Sequence, residues 1–187
     1  MQKLFTDYLI EVNYKFNAQK LLDESNRMSW KPFHYEHSLD IFKNQNNWMQ
    51  AMFKSVEEKP EWPEENRKEN ISQYEELNRI YNDLKDITGS DVHPRFYIQS
   101  ANWDLPSHTD RGMPCGFNIN LTEDCGPLKF TDHELYHEEF YYKAAAINGE
   151  KRHYVPAYPK KRYVVRFAIS DITYYEFVDQ LKNVGLI

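Results

Sequence analysis

The sequence has few cysteines, few basic residues and no long apolar run, and each scarcity excludes a class of protein. Cys115 and Cys125 are its only cysteines, so we expect two reduced thiols and no disulfide framework. The net charge of −6 argues against nucleic acid or an anionic membrane as the main partner. Asp7 and Glu11 interrupt the apolar start of the chain, which predicts neither a signal peptide nor a membrane span. We therefore expect a cytoplasmic protein.

The chain is long enough to bury one sizeable core and too short for two ordinary domains. Its 187 residues are 41% hydrophobic and 16% aromatic. We predict a single domain, with helical support over about residues 1–92, a β core over about 93–172 and a closing helix over about 173–183.

The two halves of the chain differ in their hydrophobic pattern. Asn17 precedes one short helical pattern, and a second, amphipathic pattern runs from Ile71 to a stop signal at Gly89. From His93 onward, short runs rich in Val, Ile, Phe and Tyr alternate with Gly, Pro and Asn, which predicts antiparallel strands. The runs are "RFYIQS", "GFNINL", "PLKFTD", "EEFYYKAAAIN", "HYVPAY" and "RYVVRFAI". This order indicates an α+β, mainly β fold, a cupin-like jelly roll with helices packed on one face.

One candidate metal site is the HExxH spacing of His133, Glu134 and His137. On a helix, this spacing would place two imidazoles and a general base on one zinc ion. However, the segment is crowded with acidic residues that are costly to bury, and no histidine follows at the spacing of a third ligand. We therefore favour a solvated loop here.

A second candidate combines His108 and Asp110 with the distant His153. One residue separates His108 from Asp110, so in an extended strand both side chains point to the same face. His153 begins a later predicted strand and can supply a second imidazole across a barrel. Two histidines and one carboxylate on one face of iron(II) leave coordination positions open, as in non-haem oxygenases.

Two arginines follow His153 on one predicted strand. Its alternation places Arg162, Val164 and Arg166 on one face, with Tyr163 on the other. An arginine on an inward face needs an anion, and its guanidinium can bind a carboxylate through two parallel hydrogen bonds. Positions four apart on a strand lie about 13 Å from each other, so the two arginines cannot bind the same end of one small ligand.

With these residues in this order, the chain resembles the iron(II)- and 2-oxoglutarate-dependent oxygenase superfamily, over about residues 95–172. The resemblance implies a double-stranded β-helix and an iron(II) site formed by His108, Asp110 and His153, the catalytic centre. It also implies that Arg162 binds the far carboxylate of 2-oxoglutarate, with Arg166 as the other possibility. We favour Arg162, which leaves Arg166 for a substrate carboxylate or an internal ion pair.

The resemblance has further implications for binding and chemistry. Asn118, Asn120 and Tyr97 are candidates to hydrogen-bond the cosubstrate. The implied reaction consumes O2 and 2-oxoglutarate, releases succinate and CO2, and hydroxylates an unactivated C–H bond. Because Asp110 is present, hydroxylation is expected and not halogenation. A helical part before a compact core resembles the prolyl-hydroxylase and aspartyl/asparaginyl-hydroxylase branches, so the expected substrate is an amino acid, a peptide or protein side chain, or a small molecule.

Two alternatives from other functional classes stay open at this point. A cupin-like metal- or ligand-binding jelly roll without oxygenase activity would use the same barrel, although it would not need Arg162. A zinc hydrolase would use His133, Glu134 and His137 instead.

Overall fold

A computed structural model describes residues 7–27, 31–32, 56–58, 71–99, 101–102, 104–110, 112–132 and 136–187. These residues form eleven strands and three helices. In chain order they are β1 (Leu9–Glu11), α1 (Ala18–Asn26), β2 (Lys31–Pro32), β3 (Val56–Glu58), α2 (Glu75–Thr88), β4 (Val92–Gln99), β5 (Leu105–His108), β6 (Cys115–Asn120), β7 (Leu128–Asp132), β8 (Tyr136–Phe140), β9 (Ala144–Asn148), β10 (His153–Val155), β11 (Arg162–Ile169) and α3 (Tyr174–Asn183).

The strands form two antiparallel sheets between which the chain alternates. The larger sheet has the order β1-β9-β6-β11-β4-β3-β2, and the smaller one has the order β5-β10-β7-β8. From β4 onward, the chain crosses from one sheet to the other after each strand, except at the β7–β8 hairpin. This winding is a double-stranded β-helix, so the jelly-roll fold predicted from the sequence is confirmed.

Strand β11 separates the helix-facing core from the barrel interior. Val165 and Phe167 are fully buried in the core beneath the helices. Arg162, Val164 and Arg166 lie on the opposite, inner face, as their alternation predicts. Residues paired directly across the sheet share a face, so the register also decides which side chains of β4 and β6 point into the barrel.

Helix α1 begins and helix α2 ends where their sequence signals predict, whereas α2 begins at Glu75 and not at Ile71. The side chain of Asn17 accepts a hydrogen bond from the Lys20 amide at the start of α1. Gly89 ends α2 in the left-handed conformation, with φ of 64°. Helices α2 and α3 pack on the larger sheet, where Leu77 and Phe177 are fully buried. In the described part of the chain, no helix is long and apolar enough to cross a membrane.

The first part of the chain contributes more than helices. Strand β1 pairs with β9 at one edge of the larger sheet, and β3 and β2 extend the other edge beyond β4. The region predicted as helical support therefore also supplies three short strands.

Two buried carboxylates join α1 to α2. The carboxylate of Glu24, which is 1% exposed, accepts hydrogen bonds from the amides of Glu76 (2.8 Å) and Leu77 (3.0 Å). Helix α2 has no side-chain cap of its own at Tyr74, so Glu24 satisfies donors that its first turn leaves open. In return, Glu76 accepts a hydrogen bond from the Asn17 amide. Each helix therefore caps a terminus of the other.

We predict that Glu24→Gln lowers the free energy of unfolding by about 1–3 kcal/mol, because the amide has only one acceptor for two buried N–H groups. Glu75→Gln is the matched control, since Glu75 is 85% exposed and forms only a surface ion pair with Lys20. Urea unfolding should show almost no change for the control. Equal effects of the two substitutions would contradict the capping role.

Candidate metal centre

The side chains of His108, Asp110 and His153 converge at one end of the barrel. Their ligand atoms all lie within 4.8 Å of one another. Asp110 Oδ1 is 3.7 Å from His108 Nε2, and Asp110 Oδ2 is 3.5 Å from His153 Nε2. The segment that carries His108 and Asp110 and the segment that carries His153 are therefore adjacent in space, although they are distant in sequence.

Strand pairing and one turn produce this convergence. His108 ends β5 and His153 begins β10, and the two residues are direct partners across the smaller sheet. Asp110 lies beyond the end of β5, so the extended geometry expected for the pair stops at His108. Instead, the Asp110 amide donates to the Gly149 carbonyl at 2.8 Å, in the turn between β9 and β10. A turn and not a strand aims the carboxylate.

Backbone carbonyls hold both imidazoles in the orientation that a metal ligand requires. His108 Nδ1 is 2.7 Å from the Pro106 carbonyl, and His153 Nδ1 is 2.8 Å from the Lys151 carbonyl. A carbonyl only accepts, so each Nδ1 carries the proton and donates it. The Nε2 atoms face Asp110, and in a neutral ring this nitrogen keeps the lone pair that binds a metal.

Burial and charge favour a neutral His153 beside an ionised Asp110. Burial lowers the pKa of His153 to about 4, despite the opposing attraction of the Asp110 carboxylate. Burial alone would raise the pKa of Asp110, but Arg166 and the two histidines together outweigh it, and the pKa is lowered. At neutral pH, Asp110 and His153 are therefore in the protonation states that bind cations.

Arg166 reaches from β11 into the same cluster. Its Nη2 atom is 2.7 Å from Asp110 Oδ2. Burial opposes the charge of Arg166, but Asp110, together with Tyr97 and Tyr142, outweighs it and raises the arginine pKa. The contact is an attraction between charges and not a well-directed hydrogen bond, since neither atom meets hydrogen-bond geometry. Oδ2 therefore keeps lone pairs that no hydrogen bond occupies.

Arg162 occupies a separate, deeper position on the inner face. It is 5% exposed, and it donates from Nε to Asn120 Oδ1 (3.1 Å) and from Nη2 to the Tyr142 hydroxyl (3.0 Å). Asn120 is itself fixed, because its Nδ2 donates to the Tyr142 carbonyl at 2.9 Å. The third nitrogen, Nη1, is buried and has no hydrogen-bond partner among the described residues.

The remaining predicted binding residues also point into the barrel. Asn118 pairs with Arg166 across the sheet, and its buried Oδ1 makes no hydrogen bond within the described part of the chain. Tyr97 pairs with Val164 and shares that inner face. The structure thus places Tyr97, Asn118 and Asn120 on the face that carries both arginines, and their binding roles stay predictions.

The last residue of the HExxH segment, His137, does not lie on the helix that a zinc site requires. Tyr136–Phe140 is strand β8, paired antiparallel with β7, so His137 lies in a strand. His133 and Glu134 lie outside the described residues. The two cysteines are free and buried, as expected.

Three residues that shape the site were not predicted as functional. A Cβ atom on Gly149 would lie 2.2 Å from the Met113 carbonyl oxygen and 3.1 Å from Asp110 Cβ, so only glycine fits there. Gly116 leaves space for the Arg166 guanidinium. Tyr142 positions Arg162, because its hydroxyl accepts a hydrogen bond from Nη2. A glycine inside the predicted strand "GFNINL" was a usable signal, since strand glycines often mark close approaches.

The donor set fits a divalent first-row metal such as iron(II). Two ligand atoms about 2.1 Å from one ion and at right angles are about 3.0 Å apart. The three ligand atoms here lie within 4.8 Å of one another, so they would contract onto a bound ion. Two imidazoles and one carboxylate are the facial set typical of non-haem iron, and they leave other positions open. Exposure is graded across the set, with 35% for His108, 14% for Asp110 and 5% for His153.

The chain matches no protein-family model, and no curated protein matches its sequence. Among solved structures, it is similar to a prolyl hydroxylase from Trichoplax adhaerens in complex with a peptide fragment of the hypoxia inducible factor oxygen degradation domain. The TM-score is 0.55 at 10% identity, over 95% of this chain and 86% of that one. This likeness establishes a shared fold.

Two further solved structures are more distant. An oxidoreductase of the 2OG-Fe(II) oxygenase family from Burkholderia pseudomallei has a TM-score of 0.45 at 12% identity, over 86% of this chain and 95% of that one. A prolyl-4-hydroxylase from Pseudomonas putida has a TM-score of 0.41 at 11% identity, over 82% of this chain and 98% of that one.

We predict that His153→Ala abolishes tight cobalt(II) binding, because a buried ligand of the cluster is lost. His133→Ala is the matched control and should bind cobalt like the wild type. Equilibrium dialysis and the visible cobalt spectrum measure both variants. If His133→Ala lost cobalt binding and His153→Ala kept it, the metal site would lie in the HExxH segment instead.

We also predict that Gly149→Ala weakens cobalt binding about tenfold or more, because the added methyl group displaces the turn that holds Asp110. Gly185→Ala is the control: its φ of 74° makes alanine strained, but nothing lies within 4 Å. It should cost about 1 kcal/mol of stability and leave cobalt binding unchanged. Equal metal affinity in the two variants would show that Gly149 does not position the ligand.

Proposed function

We propose that this protein is an iron(II)- and 2-oxoglutarate-dependent dioxygenase that hydroxylates a C–H bond of an amino acid, a protein side chain or a small molecule. The proposal rests on the coexistence of a facial His-Asp-His set with a separate buried cation in one barrel. The fold supports it, but a fold alone names no activity.

The unsatisfied nitrogen of Arg162 is the observation that carries the proposal. A buried guanidinium with an open donor is costly unless an anion completes it. Asn120 and Tyr142 hold the group so that Nη1 stays open, and both are neutral. A ligand carboxylate supplies the missing charge and acceptor. A cupin-like binding protein would have no need for this arrangement.

The spacing along β11 suits a ligand with two anionic ends. Arg162 lies four residues from Arg166, which contacts the metal ligand Asp110, and this separation is about 13 Å along a strand. In the proposed complex, a short dicarboxylate lies between them, with one end at the metal and the other at Arg162. 2-Oxoglutarate has this form, and its keto acid end chelates a metal with two open positions.

In this proposal, each described residue has a role in binding or orientation. His108, Asp110 and His153 hold iron(II), with ring orientation set by the Pro106 and Lys151 carbonyls. Iron(II), when bound, supplies the activation of O2 that couples decarboxylation of 2-oxoglutarate to oxidation of a substrate C–H bond, giving the alcohol, succinate and CO2. The protein contributes orientation and exclusion of water.

The partly exposed side of the cluster is where a substrate can approach. His108 is the most exposed of the three ligands, whereas His153 is enclosed and its ring lies 5.5 Å from that of Phe130. A peptide or small molecule can therefore reach the metal from the His108 side. The peptide complex of the Trichoplax prolyl hydroxylase is consistent with a peptide substrate here.

We predict that anaerobic iron(II) and 2-oxoglutarate together give the visible charge-transfer band of the chelate. Arg162→Gln should weaken 2-oxoglutarate affinity about 10- to 100-fold, because a charge-assisted bond to the far carboxylate is lost. Lys161→Gln removes a neighbouring exposed charge and serves as the matched control, with affinity near that of the wild type. A wild-type protein that binds iron(II) but shows no band would overturn the proposal.

A further inference from the structure

The guanidinium of Arg166 is a second cation beside the metal cluster, separate from that of Arg162. We propose that Arg166 is the receptor for a carboxylate-type monoanion that binds next to the metal. The inference rests on the proposed function, which uses Arg162 for the far carboxylate of 2-oxoglutarate and leaves Arg166 without a ligand.

The Arg166 guanidinium packs against strand β6 at a position where the strand has a glycine and therefore no side chain. Gly116 lies within β6, and a Cβ atom there would be 3.2 Å from Arg166 Nε and 3.4 Å from Nη2. Strands disfavour glycine unless another group approaches closely. The guanidinium is therefore seated against the β6 backbone and is not a mobile surface charge; its side chain is 13% exposed.

One donor of this guanidinium, Nε, has no acceptor, and a second, Nη2, has only the Asp110 carboxylate. Nε and Nη2 are buried and make no hydrogen bond to any described residue, and Asp110 gives Nη2 only a charge contact. An aspartate that also binds a metal shares its charge between two cations. Arg166 then needs a further anion to offset its burial.

The charge balance of the loaded site points in the same direction. Iron(II), Arg162 and Arg166 bring more positive charge than Asp110 and 2-oxoglutarate bring negative charge, and the excess is one unit. In a buried site, such an excess favours binding of one more negative charge. A substrate with a single carboxylate near the oxidised carbon restores neutrality.

The same chemistry has two possible sources, which are the substrate and the metal-chelating carboxylate of 2-oxoglutarate. The charge balance favours the substrate, because the cosubstrate has already been counted. Two titrations of cobalt(II)-loaded protein separate them, each followed by the cobalt spectrum and by calorimetry. One titrates pyruvate, a keto acid without a far carboxylate; the other titrates acetate into protein saturated with 2-oxoglutarate, with neutral acetamide as the reference.

We expect Arg166→Gln to weaken acetate binding about 10- to 100-fold, the range for loss of a hydrogen bond to a charged group. If Arg166 binds a carboxylate of the substrate, the pyruvate affinity of the variant should stay unchanged. If pyruvate affinity falls as much as acetate affinity, Arg166 binds the metal-chelating carboxylate of the cosubstrate. Both results support an anion receptor. Arg152→Gln is the charge control, since Arg152 is exposed and neighbours His153. It should leave both affinities within about twofold.

Gly116→Ala provides an independent variant if Arg166→Gln folds poorly. It keeps every charge but pushes the guanidinium aside, so it should weaken the same titration. Unchanged acetate and pyruvate affinities in cobalt-loaded variants would overturn the inference and leave Arg166 as an ion-pair partner of Asp110. If the wild type binds cobalt but not 2-oxoglutarate, the proposed function fails, and acetate titration of the cobalt protein alone still decides the role of Arg166. If the wild type does not bind cobalt, both the proposed function and the proposed role of Arg166 are wrong.

Discussion

The buried carboxylate of Asp110 is the point on which the metal cluster and the closure of the barrel both depend. A carboxylate removed from water is costly unless charge and hydrogen bonds compensate it. Here the Gly149 carbonyl fixes its backbone from one turn, and Arg166 offsets its charge from the larger sheet. Since Asp110 follows a strand of the smaller sheet, these contacts join the two sheets at the end of the barrel where the histidines meet.

The two arginines illustrate how one strand can serve two positions of a site. Arg162 and Arg166 share the inner face of β11, yet their surroundings differ. Neutral groups, Asn120 and Tyr142, hold Arg162, whereas a carboxylate faces Arg166. Strand periodicity alone would make them equivalent. Their neighbours on other strands create the difference, and with it the separate anion sites that we propose.

The sequence pattern predicted which face of a strand a residue occupies better than it predicted which residues that side chain contacts. The alternation of "RYVVRFAI" was sufficient to place Arg162 inside, because a strand has a fixed period of two. By contrast, "EEFYYKAAAIN" divides into β8 and β9 of different sheets, with no Gly, Pro or Asn at the break. The roles of Gly149 and Tyr142 depend on groups distant in sequence, so no local pattern reveals them.

The place of β11 in the larger sheet sets the order in which the molecule can be assembled. This late strand lies in the middle, hydrogen-bonded to β4 on one side and to β6 on the other. Until residues 162–169 have left the ribosome, these two earlier strands share no neighbour. Contacts so distant along the chain close slowly. The nascent chain therefore keeps the facing edges of β4 and β6 unpaired until β11 has emerged, and such exposed strand edges are prone to aggregation.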